Sequence, residues 1–298
     1  MRTFDVVLHT NGGLFASNAQ ELLAAKPFLE ERVQAVPGLS IERLDLYLAK
    51  SVMDTCEPKT LGVPIPVRQF AHLYAYVREL RPETTPYGWD EDHRLSRLVA
   101  ISRLIHPTSV GLRYAARVQQ DGDSLNIVPT KIHGLALDAF LSPNHQRDWL
   151  TKREAELAVE VDAISEPLTV PHFPWQVSRA LWDYDYAQKT YYADLRWTLI
   201  ATALEALIHT GTTGSTRHFT RRVPALAADV CAPTLTIDEC DAAYDFRSRL
   251  SHGDSFLSGM PQADINLYDR LEDTLRLTIL KAFREPDFAK IFLDDATI

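Results

Sequence analysis

The chain has only three cysteines, Cys56, Cys231 and Cys240, in 298 residues. An odd number at these spacings builds neither a disulfide framework nor a zinc knuckle, so a reducing compartment is expected. Long apolar runs are also missing. Nothing approaches the roughly 18 residues that span a bilayer, and the Met1-Arg2-Thr3-Phe4-Asp5 start lacks the basic and apolar regions of an export signal. The expectation is a cytoplasmic protein with no membrane partner. Basic charge is in deficit, with 31 Lys and Arg against 40 Asp and Glu and a net charge of -9. That excludes a protein that coats nucleic acid through a basic face, but it leaves room for a few arginines in one cleft, because screening confines charge effects to about 8–10 Å. Glycine fingerprints are absent too. Without a P-loop, a Rossmann motif or Gly-x-Ser-x-Gly, no nucleotide cofactor and no common hydrolase elbow is expected. Asp90-Glu91-Asp92-His93 suits a helix N-terminus better than a metal, so no metal site is assigned.

What is present is an ordinary globular composition, 46% hydrophobic and 24% charged. The length suggests two domains, and helical periodicity is much cleaner after about residue 172. Three prolines in residues 167–174 mark an extended connector. The expected fold class is mainly α: a mixed α/β N-terminal domain over 1–170, then a helical bundle over 171–298. In the first domain, alternation predicts strands at 3–9, 41–49, 110–118 and 125–137, and periodicity predicts helices at 19–36, 67–80 and 93–105.

The second domain should hold four or five helices. They are expected at 175–186, at 190–210 bounded by Gly211 and Gly214, after Ser215 and Thr216 with Pro224 kinking or splitting the helix, after Thr236, and at 265–284. Thr236-Ile237-Asp238-Glu239 is a capping-box pattern, and the helix it opens should end at Gly253.

Charged residues in apolar places carry the chemistry. Glu205 lies among Leu199, Ile200, Ala201, Ala203, Leu204, Ala206, Leu207 and Ile208, so its carboxylate needs a partner. Arg247 continues the inward stripe Ile237, Cys240, Ala243 and Tyr244. Guanidinium and carboxylate suit each other. Such a pair is either an architectural lock or part of a site. His252 follows five residues later, beside Gly253, at the negative end of the helix dipole. At about 100° per residue the Arg247 and His252 side chains project roughly 140° apart, so convergence on one atom needs an unwound last turn or a second copy across a twofold axis. Histidine beside arginine is a minimal kit for metal-independent RNA cleavage: imidazole moves the proton of a 2′-hydroxyl or leaving oxygen, and guanidinium stabilises phosphoryl charge.

The segment Tyr244-Asp245-Phe246-Arg247-Ser248-Arg249-Leu250-Ser251-His252-Gly253 resembles the Arg-x4-His motif of HEPN domains, helical modules that often act as ribonucleases. Ala203-Leu204-Glu205-Ala206-Leu207 resembles the preceding helix of the Apea-like HEPN branch. The likeness covers about 175–284. Ile101-Ser102-Arg103-Leu104-Ile105-His106-Pro107 is a weaker echo of an N-terminal element in such proteins. The resemblance implies catalytic Arg247 and His252, polar supports Glu205 and Ser248, a homodimer through the bundle, RNA as substrate, and a role in prokaryotic antiviral defence or a toxin system. The N-terminal domain would then sense a trigger or antitoxin, or select RNA. The family also contains noncatalytic interaction and RNA-binding modules, which is the alternative.

Arg217, Arg221 and Arg222, with His218, form the densest basic cluster and are candidate RNA-backbone contacts, against a plain solvated helix face. Tyr184, Tyr186, Tyr191, Tyr192 and Trp197 are candidates for base stacking, with core packing the favoured expectation.

Overall fold

In the computed structural model, residues 1–11, 33–36, 38–56, 71–80, 89–108, 114–129, 149–165, 174–190, 192–208, 214–231, 233–253 and 261–293 are described. They are mainly helical, with one antiparallel sheet near the N-terminus. Contacts group them into two compact units.

The first unit is organised by a strand whose two faces are both covered. Phe4, Val6 and Leu8 alternate with Asp5, Val7 and His9, and all six are buried in β1, Arg2–Asn11. The other strands are β2 (Val33–Val36), β3 (Leu39–Glu42), β4 (Ala71–Glu79), β5 (Ala115–Asp121) and β6 (Ser124–Pro129), in the order β2-β3-β4-β1-β5-β6. Val6 faces Val77 across β1 and β4, and Phe4 faces Val118 across β1 and β5. Phe4, Val6, Leu8, Ala75, Val77, Ala116 and Val118 pack on Leu48, Ala49, Val52 and Met53 of helix α1, Leu46–Cys56. Each large apolar side chain buried this way contributes about 1.5–3 kcal/mol. Asp5, on the opposite face, is gripped by both Arg117 Nε and Nη2 at 2.7 and 2.9 Å. Two further helices, α2 (Trp89–Ile105) and α3 (Lys152–Ser165), are tied by Arg97 Nε donating to Asp162 Oδ1 at 2.9 Å.

Several expectations for this half are corrected. Residues 71–79, expected to be helical, form β4 between β3 and β1. Tyr74, Ala75, Tyr76 and Val77 are all buried, so no alternation marked the strand. Val33–Val36 is likewise strand, not helix, while 19–32 lies outside the described residues. The strand expected over 41–49 stops at Glu42, because Asp45 caps α1, its Oδ1 accepting from Tyr47 and Leu48 N–H at 2.8 and 3.3 Å. The helix expected over 93–105 is present as α2. Strands occur at Ala115–Asp121 and Ser124–Pro129, and the remainder of those expected segments, 110–113 and 130–137, is outside the described residues. Helix α3 was not anticipated.

The second unit contains α4 (Trp175–Lys189), α5 (Ala193–Leu207), α6 (Ser215–Val230), α7 (Ile237–Ser251), α8 (Gln262–Arg284), the short α9 (Pro286–Ala289) and a final 3-10 turn, Lys290–Leu293. Helix α6 is not split at Pro224. Helix α8 turns Tyr268, Leu271, Leu275, Ile279 and Ala282 inward. Trp197, fully buried on α5, donates from Nε1 to the Ala243 carbonyl of α7 at 3.2 Å. The last turn of α2, Arg103–Ile105, groups with this unit. Its carbonyls are capped by Tyr184 Oη to Arg103 at 3.0 Å and by Arg276 Nη1 to Leu104 and Ile105 at 2.7 and 3.1 Å. Arg103 itself pairs with Asp185, which also holds Lys189. The proline-rich connector at 167–173 lies outside the described residues.

Candidate active site

Helix α7 begins with the capping box read from the sequence. Thr236 Oγ1 accepts from Glu239 N–H at 3.2 Å, and Glu239 Oε2 accepts from Thr236 N–H at 2.9 Å. The register so fixed places Cys240, Ala243 and Tyr244 in the core and presents Tyr244 and Arg247 three residues apart on one face. Both reach Glu205 on α5. Arg247 Nη2 donates to Glu205 Oε2 at 2.8 Å, and Tyr244 Oη donates to Glu205 Oε1 at 3.0 Å. The carboxylate expected to need a partner therefore has two.

The pair is unevenly exposed, with 12% of the Glu205 side chain and 27% of the Arg247 side chain open to solvent. The Arg247 guanidinium carbon lies 5.6 Å from the Tyr244 ring centroid, within cation–π range. Its Nε is buried and makes no hydrogen bond among the described residues. Tyr244 packs on Phe219 of α6, centroids 5.1 Å apart. Burial raises the Tyr244 phenol above its usual pKa, and the charge of Glu205 and the bond to it raise it further. The phenol is thus neutral and a donor at ordinary pH. Tyr244 is a site residue that sequence reasoning left unassigned, although its i, i+3 relation to Arg247 was visible.

His252 is the C-cap of α7. Its backbone N–H donates to Ser248 and Arg249 carbonyls at 3.2 and 3.0 Å, and its side chain is exposed. The helix persists through Ser251, and His252 (φ −96°, ψ 7°) and Gly253 (φ 103°) are the described residues that depart from helical geometry after it. Among the described residues no hydrogen bond or ion pair joins the side chains of Arg247 and His252. Ser248 is half-buried between them in sequence and contributes its carbonyl to the His252 turn.

The basic cluster divides. Arg217 and Arg221 are exposed one turn apart on α6, whereas Arg222 Nη1 donates to the Ile208 carbonyl at 2.5 Å and closes the C-terminus of α5. The aromatic candidates divide as well: Tyr184 and Trp197 are buried, Tyr186 and Tyr192 are exposed, and Tyr191 lies outside the described residues. Among the described residues, no cluster of three or more His, Cys, Asp or Glu could hold a metal ion, and no helix is long and apolar enough to cross a membrane.

The arrangement offers a permanently charged donor fork, partly exposed and oriented by a carboxylate, on a helix that ends in an exposed imidazole. Such groups can bind an oxyanion and move a proton. The chain matches no protein-family model, no curated protein and no solved structure.

Proposed function

We propose that this chain is a HEPN-type, metal-independent endoribonuclease acting at a composite site in a homodimer formed through its helical bundle. The observation that carries the reading is Arg247, a cation tethered by a single hydrogen bond to Glu205, partly open to solvent, on the helix that terminates in exposed His252. One imidazole takes the proton of a ribose 2′-hydroxyl, and the 2′-oxygen attacks phosphorus. The bond to the 5′-oxygen breaks, and a protonated imidazole returns a proton to that oxygen, leaving a 2′,3′-cyclic phosphate and a 5′-hydroxyl. Arg247 stabilises the charge that grows on the phosphoryl oxygens. A twofold partner supplies the second motif, which relieves the roughly 140° divergence of the two side chains on one helix. Arg217 and Arg221 guide the RNA backbone. The N-terminal unit receives a trigger or antitoxin, or selects RNA, in a cytoplasmic defence or toxin system.

The test is cleavage of total RNA and matched DNA in EDTA by the wild type, Arg247→Ala and His252→Ala, with dimerisation checked. RNA cutting lost in both variants, with DNA intact and dimers retained, is the expected result. Equal cutting by all three overturns the assignment. The same Arg247–Glu205 bond favours a second reading, a noncatalytic HEPN-type interaction or RNA-binding module in which the pair only locks α5 against α7. In that case RNA or a protein partner binds without being cut.

A further inference from the structure

Glu205 is a shared acceptor, and the sharing limits its hold on the arginine. A carboxylate with both oxygens free takes a guanidinium by two parallel N–H···O bonds. Here one oxygen is already committed: Tyr244 Oη donates to Oε1, while Arg247 Nη2 donates to Oε2. A guanidinium has five N–H donors; one meets Glu205 and the Nε donor is buried without a hydrogen bond among the described residues, so about three, on the two Nη atoms, remain for another acceptor.

The tyrosine is itself held from two sides. Phe219 packs on its ring, and the Arg247 guanidinium lies over the ring. The phenol therefore cannot turn away from Glu205 without losing several contacts at once. A tyrosine in this place does something phenylalanine could not, since packing alone needs no hydroxyl.

We propose that Tyr244 is a positioning residue that keeps Arg247 available to an RNA phosphate by occupying one oxygen of Glu205. With Tyr244 in place, Glu205 orients the guanidinium through one bond and leaves its remaining donors for the phosphoryl oxygens. Without the hydroxyl, Glu205 turns its second oxygen to Arg247, and the two-point clamp competes with the substrate. This inference rests on the ribonuclease reading for its consequence in catalysis, but the change in the Arg247 contact stands apart from it.

The experiment compares the full-length wild type, Tyr244→Phe, Glu205→Gln and the double variant in RNA cleavage, with thermal midpoints and dimerisation recorded. The 15N NMR signals of the Arg247 guanidinium, assigned by their loss in Arg247→Lys, are followed alongside. Tyr244→Phe should lower kcat/KM at least tenfold with dimers retained, and Arg247 Nη rotation should slow as the clamp forms. Glu205→Gln in the same background should restore cleavage to the level of Glu205→Gln alone, because a neutral amide cannot clamp the guanidinium. A merely structural tyrosine gives no such rescue. Wild-type cleavage in Tyr244→Phe, or a loss that Glu205→Gln does not repair, overturns the proposal. If the wild type cuts no RNA, the ribonuclease reading fails, and unchanged Arg247 signals in Tyr244→Phe then overturn the positioning role independently.

Discussion

Gln188 Nε2 donates to Glu272 Oε1 at 2.6 Å, and both side chains are buried in the helical unit. The other oxygen of Glu272 has no hydrogen bond among the described residues. The charges of Arg196 on α5 and of Asp269, Asp273 and Arg276 on α8 act on the same carboxyl group, whose own charge acts on the buried phenols of Tyr184 on α4 and Tyr268 on α8. Burial dominates this set and pushes Glu272 up to about 7, against the pull of Arg196 and Arg276.

A pKa raised in the folded state makes a stability contribution that is complete below the unfolded value, about 4.5, and is lost as pH rises through about 7. Glu272→Gln, which cannot ionise, should therefore gain on the wild type as pH increases. On the order of 3 kcal/mol of relative stability should appear between pH 4.5 and pH 8, read from denaturant unfolding of both proteins. A pH-independent difference would show that Glu272 stays charged in the fold.

Arg247 raises a different separation, between charge and fork geometry. Arg247→Ala strands a mostly buried carboxylate with Tyr244 as its remaining donor, so lost activity in that variant mixes catalysis with stability. Arg247→Lys keeps the charge beside Glu205 and should hold stability within about 1 kcal/mol. Its point charge cannot engage two phosphoryl oxygens through a planar fork, so RNA cleavage should still fall by roughly 100-fold. Retained activity in a stable Arg247→Lys would place the catalytic demand elsewhere.

The helical half was legible because each helix there has one buried stripe and chemical punctuation. Thr236 and Glu239 announce α7, Gly253 ends it, and the Glu205–Arg247 pair follows from two charges on apolar faces. In the N-terminal half the strand expected at 3–9 is β1, whereas β4 was hidden because Tyr74, Ala75, Tyr76 and Val77 are all buried, which replaces period-two alternation by continuous burial. Helix α3 had a readable start that was passed over. Thr151 Oγ1 accepts from Glu154 N–H at 3.3 Å, and Glu154 Oε2 accepts from Thr151 N–H at 2.6 Å, the same capping box as at Thr236. The Tyr244 contact was harder to read, since sequence shows that a tyrosine shares a face with Arg247 but not that its hydroxyl meets the second oxygen of Glu205.

The split of the basic cluster predicts two separable phenotypes. Arg222→Ala removes the cap on the Ile208 carbonyl and should cost about 1 kcal/mol of stability while leaving the salt dependence of RNA binding unchanged. Arg217→Ala with Arg221→Ala removes exposed charges and should leave the thermal midpoint in place. If both contact phosphates, the slope of log affinity against log salt should become shallower by about 0.7 per lost contact on single-stranded RNA. The reverse pattern, with Arg222 alone setting the slope, would assign the RNA path to the other side of α6.

Gly253 controls the turn that presents His252. Its φ of 103° lies where side chains with a Cβ are strained, although a Cβ there would meet nothing within 4 Å. Its N–H donates to the Leu250 carbonyl at 3.1 Å, closing the end of α7 directly after the imidazole. Substitution should therefore act through backbone conformation rather than through a clash. Gly253→Ala should cost about 1 kcal/mol and lower RNA cleavage by displacing His252, Gly253→Val should be worse, and Gly253→Asn should be mildest because asparagine tolerates positive φ. Cleavage rates ranked in that order, with dimers intact, would tie activity to the geometry of the His252 turn. Equal rates in all three would mean that the position of the imidazole is set by something other than this glycine.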